Sequence, residues 1–360
     1  MKTIHSGWEL KVLAVIAIVV CIAISQPVLF PILFAFFLYL LLNPVLEWMV
    51  SFKVPKPLGA VILVLALLGL ISWGVSFLVD PAASWIESAP TNFKIVEKKA
   101  LIIKKSLGKI IKAAETAQDI SDVVKDDTIK LSTETTSLGS SLFTLTSNAL
   151  FLISTILLLL FFFLIYFKPL LQSFEKIIYN RRKIREEESE FILELKSKVS
   201  RYMLVFTLIC AGLGVVMACA LGLLGLPNAL LWGMMAMVLT YIPYVGHLVG
   251  IIVVSFVSLV TFDSYLGILS PPITYLLIAV LEGQVVTPIL LGNRLNLNPL
   301  IVFINMFFWG WLWGISGVII SIPLLVTIKI IIEYVPDLAK YKSLLESEVK
   351  PPLLRKKQVN

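Results

Sequence analysis

Charge is what this 360-residue sequence has least of. Asp, Glu, Lys and Arg make up 15% of it, against about 25% in soluble domains, while apolar residues make up 58%. The shortage is patterned: none of the four occurs in 12–46, 57–79, 135–167, 202–262, 264–281 or 295–328. Each run reaches about the 18-residue length at which a bilayer span becomes the natural reading, which excludes a soluble globular chain. None shows the dyad alternation over about ten residues that marks a transmembrane barrel strand. Cysteine is nearly absent too. Cys21, Cys210 and Cys219 all lie inside apolar runs, where a thiol behaves as a small buried hydrophobe, so neither a disulfide framework nor a metal site is indicated. Histidine is limited to His5 and His247, and no "HExxH", "GxSxG" or "GxxxxGK[ST]" occurs. Zinc hydrolase, serine hydrolase and ATP-hydrolysing chemistry therefore lack their residues, and neither an enzyme nor a bound cofactor is expected. The net charge of +7 is concentrated beside the apolar runs, where basic residues orient a chain in the bilayer; it is not a nucleic-acid signal.

What is present is an all-α polytopic membrane protein of about eight transmembrane helices, several broken by Pro and Gly. Run 12–46 would be about 52 Å long as one helix, too long for a hydrocarbon core of about 30 Å. "SQP" at 25–27 divides it into spans near 10–25 and 28–49, and "AISQPVLF" lacks a signal-peptide cleavage site, so the first span is kept. A third span, 58–79, is expected to stop at Asp80-Pro81, and a fourth, 143–167, at Lys168-Pro169. Residues 1–79 thus hold three transmembrane helices, 80–140 an extracytoplasmic helical segment, and 141–167 a fourth transmembrane helix. Residues 168–201 form a cytoplasmic amphipathic helix, 202–332 a transport core with broken helices, and 333–360 a cytoplasmic tail. The 80–140 segment carries nine basic and nine acidic residues; it is a helical cap packing on its neighbours or a basic face resting on lipid headgroups. Nine basic residues between 168 and 201 place that loop, and with it both termini, in the cytoplasm. Five crossings then leave Pro227 outside, and three more, near 229–262, 265–284 and 300–329, return Lys329 to the inside.

Within the last third, "YIPYVGHLVG" interrupts 229–262, because Pro243 removes a backbone donor and Gly246 loosens the turn. "LWGMMAMVLTYIP" (231–243) and "LWGISGVIISIP" (312–323) share an outline, either as a short internal repeat or as two independent kinks. Gly314, Gly317 and Pro323 mark the second interruption, and Pro288 and Gly292 a third. Between Arg201 and Lys329 the full charges are Asp263, Glu282 and Arg294. Asp263 falls in an interfacial loop. An intramembrane charge costs at least about 2.5–3.5 kcal/mol and should face a partner or a watery path. Glu282, Gln284, Asn293, Arg294 and Asn296 are therefore the candidates to line a solute or ion path; the alternative is a plain extracytoplasmic loop with Glu282 at its rim. His247, beside Gly246, is either a satisfied helix-end histidine or a pH-responsive group.

"GLPNALLWGMMAMVLTYIPYVGHLVG", "LEGQVVTPILLGNRLNLNPLIVF" and "WGISGVIISIPLLVTIKII" together resemble the autoinducer-2 exporter (PerM-like) family of prokaryotic membrane proteins. The matching positions include Tyr202, Gly225-Leu226-Pro227, Pro243, Gly246, Glu282, Pro288, Gly292, Pro299, Gly314, Gly317 and Pro323; His247 departs from it, since the family more often has Pro there. The resemblance implies about eight spans in the inner (plasma) membrane, a homo-oligomer with a pentameric arrangement, and export of a small solute such as autoinducer-2. The leading expectation is thus a transporter of a small polar solute working by alternating access. A sodium (cation)/proton antiporter is the alternative, and a non-transporting envelope scaffold acting through 80–140 the third.

Overall fold

The computed structural model describes residues 7–99, 138–182, 186–291 and 297–334. Almost all of them are helical. The elements are α1 (Gly7–Ile24), α2 (Gln26–Ser51), α3 (Lys56–Glu87), α4 (89–99), α5 (Leu138–Arg182) and α6 (Glu186–Leu223). They are followed by α7 (Ala229–Leu239), α8 (Val245–Thr261), α9 (Tyr265–Leu281), a π turn (Glu282–Val286), α10 (Thr287–Leu291) and α11 (Pro299–Tyr334). Among the described residues six stretches are long and apolar enough to cross a membrane: Gln26–Ser51, Lys56–Glu87, Ala149–Ser173, Lys196–Leu223, Tyr265–Leu291 and Pro299–Ile332. With α1 and the shorter apolar α7 and α8, this is an all-α polytopic membrane protein.

Proline acts differently at different places. Pro27 sits in the first turn of α2, where its missing N–H is harmless, and the α1–α2 break falls at Ser25. Asp80-Pro81 and Lys168-Pro169, by contrast, do not stop their helices: α3 continues to Glu87 and α5 to Arg182. A proline removes one intrahelical bond but keeps a helical φ, and a rod loses less by forgoing that bond than by unwinding a whole turn.

Packing divides the molecule into two cores. The first surrounds α2, whose Ala35, Tyr39 and Leu40 are buried against Leu160 and Leu164 of α5, Val199 and Met203 of α6, and Ile320 and Val326 of α11. Phe36, Tyr39, Phe163 and Phe167 pack edge-on or tilted against one another within it, the closest pair having ring centroids 4.8 Å apart. The second core joins α6 to α9 through Met217, Trp232, Ala236, Val254 and Tyr275. There Gly214 and Gly233 let α6 and α7 approach closely, since a methyl at Gly233 would stand 2.5 Å from the Gly214 carbonyl oxygen.

Segment 229–262 is not a single kinked crossing. It doubles back at 240–244. A methyl on Gly246 would lie 1.8 Å from the Leu239 carbonyl oxygen, and at the base a methyl added to Gly225 would lie 4.0 Å from the Phe262 ring. Pro243 ends the first arm, and Tyr244 takes a left-handed φ of 61° to turn the chain into α8. Segment 300–329, expected as one crossing, is also folded on itself. Gly314 adopts φ 61° and ψ −142°, a region open only to glycine, and divides α11 into two arms. Across them Asn305 Nδ2 donates to the Ser321 carbonyl at 2.8 Å, and a methyl on Gly317 would stand 1.9 Å from the Trp309 carbonyl oxygen. The two hairpins share a device: a glycine seven or eight residues along presses directly on a carbonyl of the opposite arm. They do not share the "LWG" outline as a repeat, because 231–233 lies within an arm while 312–314 forms a tip.

The described start of the polar segment, up to residue 99, is anchored to the first hairpin. Lys99 Nζ donates to the Leu259 and Phe262 carbonyls at 3.0 and 2.8 Å and pairs with Asp263 at 2.9 Å, while Phe93 meets Phe256 and Trp85 meets Trp232. Asp263 is thus one half of a clasp. The hydrogen bond and positive charge of Lys99 hold its carboxyl below the ordinary value. A depressed folded-state pKa gives a contribution that is complete above the unfolded value and lost as pH falls through the folded one. Hydrogen-exchange protection of 89–99 should therefore stay level from neutral pH to about 4, the ordinary Asp value, and fall only below it; Asp263→Asn should remove that acid limb.

Candidate functional site

Helices α8 and α9 have 17 residues each, about 25 Å, and run antiparallel from the 262–264 turn, where Ser264 caps α9 by accepting from the Gly267 N–H. His247, near the start of α8, and Glu282, just past the end of α9, consequently reach the same level far from that turn. Glu282 is buried at 7% exposure, and its Oε2 lies 3.6 Å from His247 Nε2, which has no hydrogen-bond partner among the described residues. The opposite oxygen, Oε1, accepts a hydrogen bond from the Thr287 hydroxyl.

The backbone makes that last contact possible. From Glu282 to Val286 the helix widens to π bonding, with the Thr287 N–H reaching the Glu282 carbonyl five residues back. The widened turn brings Thr287 round to the face of Glu282, an i,i+5 neighbour that an α-helix would leave well to one side. Widened turns of this kind are frequent at functional sites.

The tip of the first hairpin completes the surroundings. Tyr241 donates its hydroxyl to Thr207 of α6 at 2.8 Å, and its ring meets Phe206 edge-on, which itself stacks on Tyr202. Cys210, buried on the same helix, is within electrostatic reach of Glu282. Tyr244 stacks on Phe303 of the second hairpin, with centroids 5.3 Å apart and planes 16° from parallel. The tip of one hairpin therefore rests on an arm of the other, beside a buried acid and imidazole. Deeper in the α8–α9 interface the Tyr275 ring fills the space left by Gly250, and its buried hydroxyl has no hydrogen-bond partner among the described residues. Among the described residues no three His, Cys, Asp or Glu side chains gather as a metal site would require.

The residues singled out from the sequence are dispersed. Glu282 is buried and partnered, whereas Gln284, two positions on, is exposed and does not join it. Gly292, Asn293, Arg294 and Asn296 lie outside the described residues. Pro243, Gly246, Gly314 and Gly317 sit at the two reversals. Pro288 and Pro323 do not break their helices. Pro288 falls in the first turn of α10, at the change from π to α bonding, where a missing N–H is tolerated; Pro323 is carried inside the second arm of α11. Sequence reasoning undervalued His247, a helix-end residue by position that the hairpin delivers to Glu282. The Glu282–Thr287 spacing ahead of Pro288 was the available clue, and it speaks only if a π turn is assumed.

Buried ionisable groups among broken helices, inside a bundle of membrane-length rods, are features that polytopic membrane transporters commonly carry. The family model described as AI-2E family transporter matches residues 12–337, and the chain belongs to that family of membrane transporters. It is 27% identical over 329 residues to the AI-2 transport protein TqsA of Escherichia coli (strain K12), covering 89% of this chain and 90% of that protein. It is 24% identical over 327 residues to YhhT of the same organism, covering 90% and 89%. Similarity to YueF of Bacillus subtilis (strain 168) is 26% over 377 residues, covering 96% and 97%.

Proposed function

We propose that this transporter exports a small polar, oxygen-rich solute of the autoinducer-2 kind across the inner membrane by alternating access. The observation that carries the reading is the contact of the two hairpins at Tyr244 and Phe303, next to Glu282 and His247. Helices α1, α2, α3, α5, α6 and the α9–α10 rod make six crossings, and the hairpins enter from opposite faces. Replacing two crossings by two hairpins leaves the parity unchanged, so both termini stay on one side, the cytoplasmic one by the basic residues of 168–201. A hydroxylated solute would find hydrogen-bond partners in Glu282, His247 and Thr287 and flat apolar walls in Tyr244 and Phe303. Sliding the tip of one hairpin along the arm of the other would open the station to one face at a time. The support for this particular solute is the similarity to TqsA. A homo-oligomer, pentameric as the family resemblance suggests, accompanies the reading.

Purified protein in liposomes should release or take up labelled autoinducer-2 down its gradient with saturation, while empty liposomes do not. Proximity of His247 to Glu282 favours a second reading, cation/proton exchange, because the pair could hand a proton and a cation through one position in turn. Sodium-triggered alkalinisation or acidification of the lumen without solute flux would select it.

A further inference from the structure

A second polar constellation lies away from the hairpins, where α2 and α6 pass each other at the Lys-rich end of the bundle. It borders a cavity of about 410 Å³ whose lining includes Asn43 and Glu47 from α2, and Lys196, Ser200, Arg201 and Leu204 from α6. With Ser197, the α6 lining residues follow an i, i+1, i+4, i+5, i+8 pattern, so one face of that helix supplies them. Lys196 Nζ donates to Asn43 Oδ1 at 3.3 Å, stands 3.7 Å from Glu47 Oε1 and sits 5.3 Å over the Tyr39 ring. Asn43 in turn donates to Glu47 at 3.0 Å. The ammonium is held in place with its position fixed from below. Arg201 is exposed at the cavity and has no carboxylate within ion-pair distance among the described residues. Ser200 is 3% exposed, and its hydroxyl has no hydrogen-bond partner among the described residues, although a helical serine ordinarily bonds back to a carbonyl four residues earlier. Lys56 and Lys168 are close enough to act electrostatically on Lys196. Among the described residues two cations, Lys196 and Arg201, thus line the cavity against the one carboxylate of Glu47, with Lys56 and Lys168 adding positive charge from further off.

We propose that this cavity is a binding site for the phosphate of an anionic lipid headgroup in the leaflet on the Lys-rich side of the bundle. The guanidinium of Arg201 offers a forked pair of donors suited to a phosphate, with Lys196 and the Ser200 hydroxyl as further donors. Basic pockets between transmembrane helices on the cytoplasmic side characteristically take such headgroups. The lining also grades from polar to apolar: Leu204 lies about 12 Å further into the apolar stretch of α6 than Lys196, and Pro44 flanks it on α2. That gradient suits a molecule with a charged head and a hydrocarbon body, and gives a free phosphate ion nothing beyond the headgroup contacts. Exposed Trp48, one turn from Pro44, marks the level of the membrane interface. The proposal is independent of which solute is carried.

The test is the thermal unfolding midpoint of the detergent-purified full chain, titrated separately with phosphatidylglycerol, phosphatidylcholine and inorganic phosphate. Phosphatidylglycerol should raise the midpoint saturably while the other two leave it unchanged. Arg201→Gln, at an exposed position with no ion pair among the described residues, should weaken the apparent affinity by about fivefold, the effect of one basic group near an anionic surface. Glu47→Gln, which keeps an acceptor for Asn43 and removes the opposing charge, should move it in the other direction by a similar factor. Equal responses to the two lipids would overturn the proposal, as would an unchanged titration in both variants. A response that inorganic phosphate alone reproduces would overturn the assignment to lipid.

Discussion

Gly246→Ala should prevent the first hairpin from closing, and Gly317→Ala the second. A methyl at either position would lie within 2 Å of a backbone carbonyl oxygen on the opposite arm, at 1.8 and 1.9 Å, and backbone cannot swing aside as a side chain does. The arms would have to part, at a cost of about 1–3 kcal/mol or more for overpacking of this kind. Gly314→Ala adds a conformational penalty of about 1–3 kcal/mol, because the φ of 61° and ψ of −142° found there suit no side chain. Gly69→Ala is the matched control. It lies in α3 with nothing within 4 Å of the added methyl and should be neutral, or stabilising by about 0.5–1 kcal/mol through helix propensity. Thermal unfolding of the purified proteins measures all four. A Gly246→Ala protein as stable as the control would mean that the arms are not in contact.

Glu282→Gln should produce the largest functional loss, about tenfold or more in solute flux, with protein level and assembly unchanged. A hydrogen bond to a charged group contributes about 1.5–3 kcal/mol, and the amide keeps an acceptor for Thr287 but loses the charge that faces both Thr287 and His247. Neutralising a buried acid does not hinder insertion, since the charge itself is the unfavourable part. Loss of flux would then report on transport and not on folding. His247→Gln should reproduce part of the loss, since it removes the imidazole that faces the Glu282 carboxylate. Should Glu282→Gln transport as well as the parent, the polar station would have to be sought elsewhere in the chain.

How far the fold was legible depended on what each signal encodes. Missing charge identified the membrane rods, because a bilayer tolerates nothing else over such lengths. Pro243 and Gly314 located both reversals, since one lacks a donor and the other alone can take the required φ. What local sequence did not convey was direction. A proline or glycine in an apolar run says that the helix changes course, but kink and full reversal differ only in what the far arm meets. Gly246 against Leu239 and Gly317 against Trp309 are contacts formed after the turn, and the residues forming them are unremarkable until the arms are superposed. The same limit separated Glu282 from its neighbours. Gln284 stood close in sequence and went elsewhere, while His247 stood 35 positions earlier and arrived at the carboxylate. Prolines 81, 169 and 323 erred in the other direction, as breaks that a long rod simply absorbs.

One pair of bonds bears on how the chain is made. The Trp313 indole donates to the Ile22 carbonyl at 2.9 Å, and Gln26 donates back to the Trp313 carbonyl at 3.1 Å, joining positions 291 and 287 residues apart. During synthesis the first helical pair leaves the ribosome long before its closing piece exists. Until then the Gln26 amide has to be satisfied by water, lipid headgroups or the insertion machinery. The nascent protein therefore spends most of its translation with an unsealed seam, and a chain cut short before Trp313 would keep that seam open permanently.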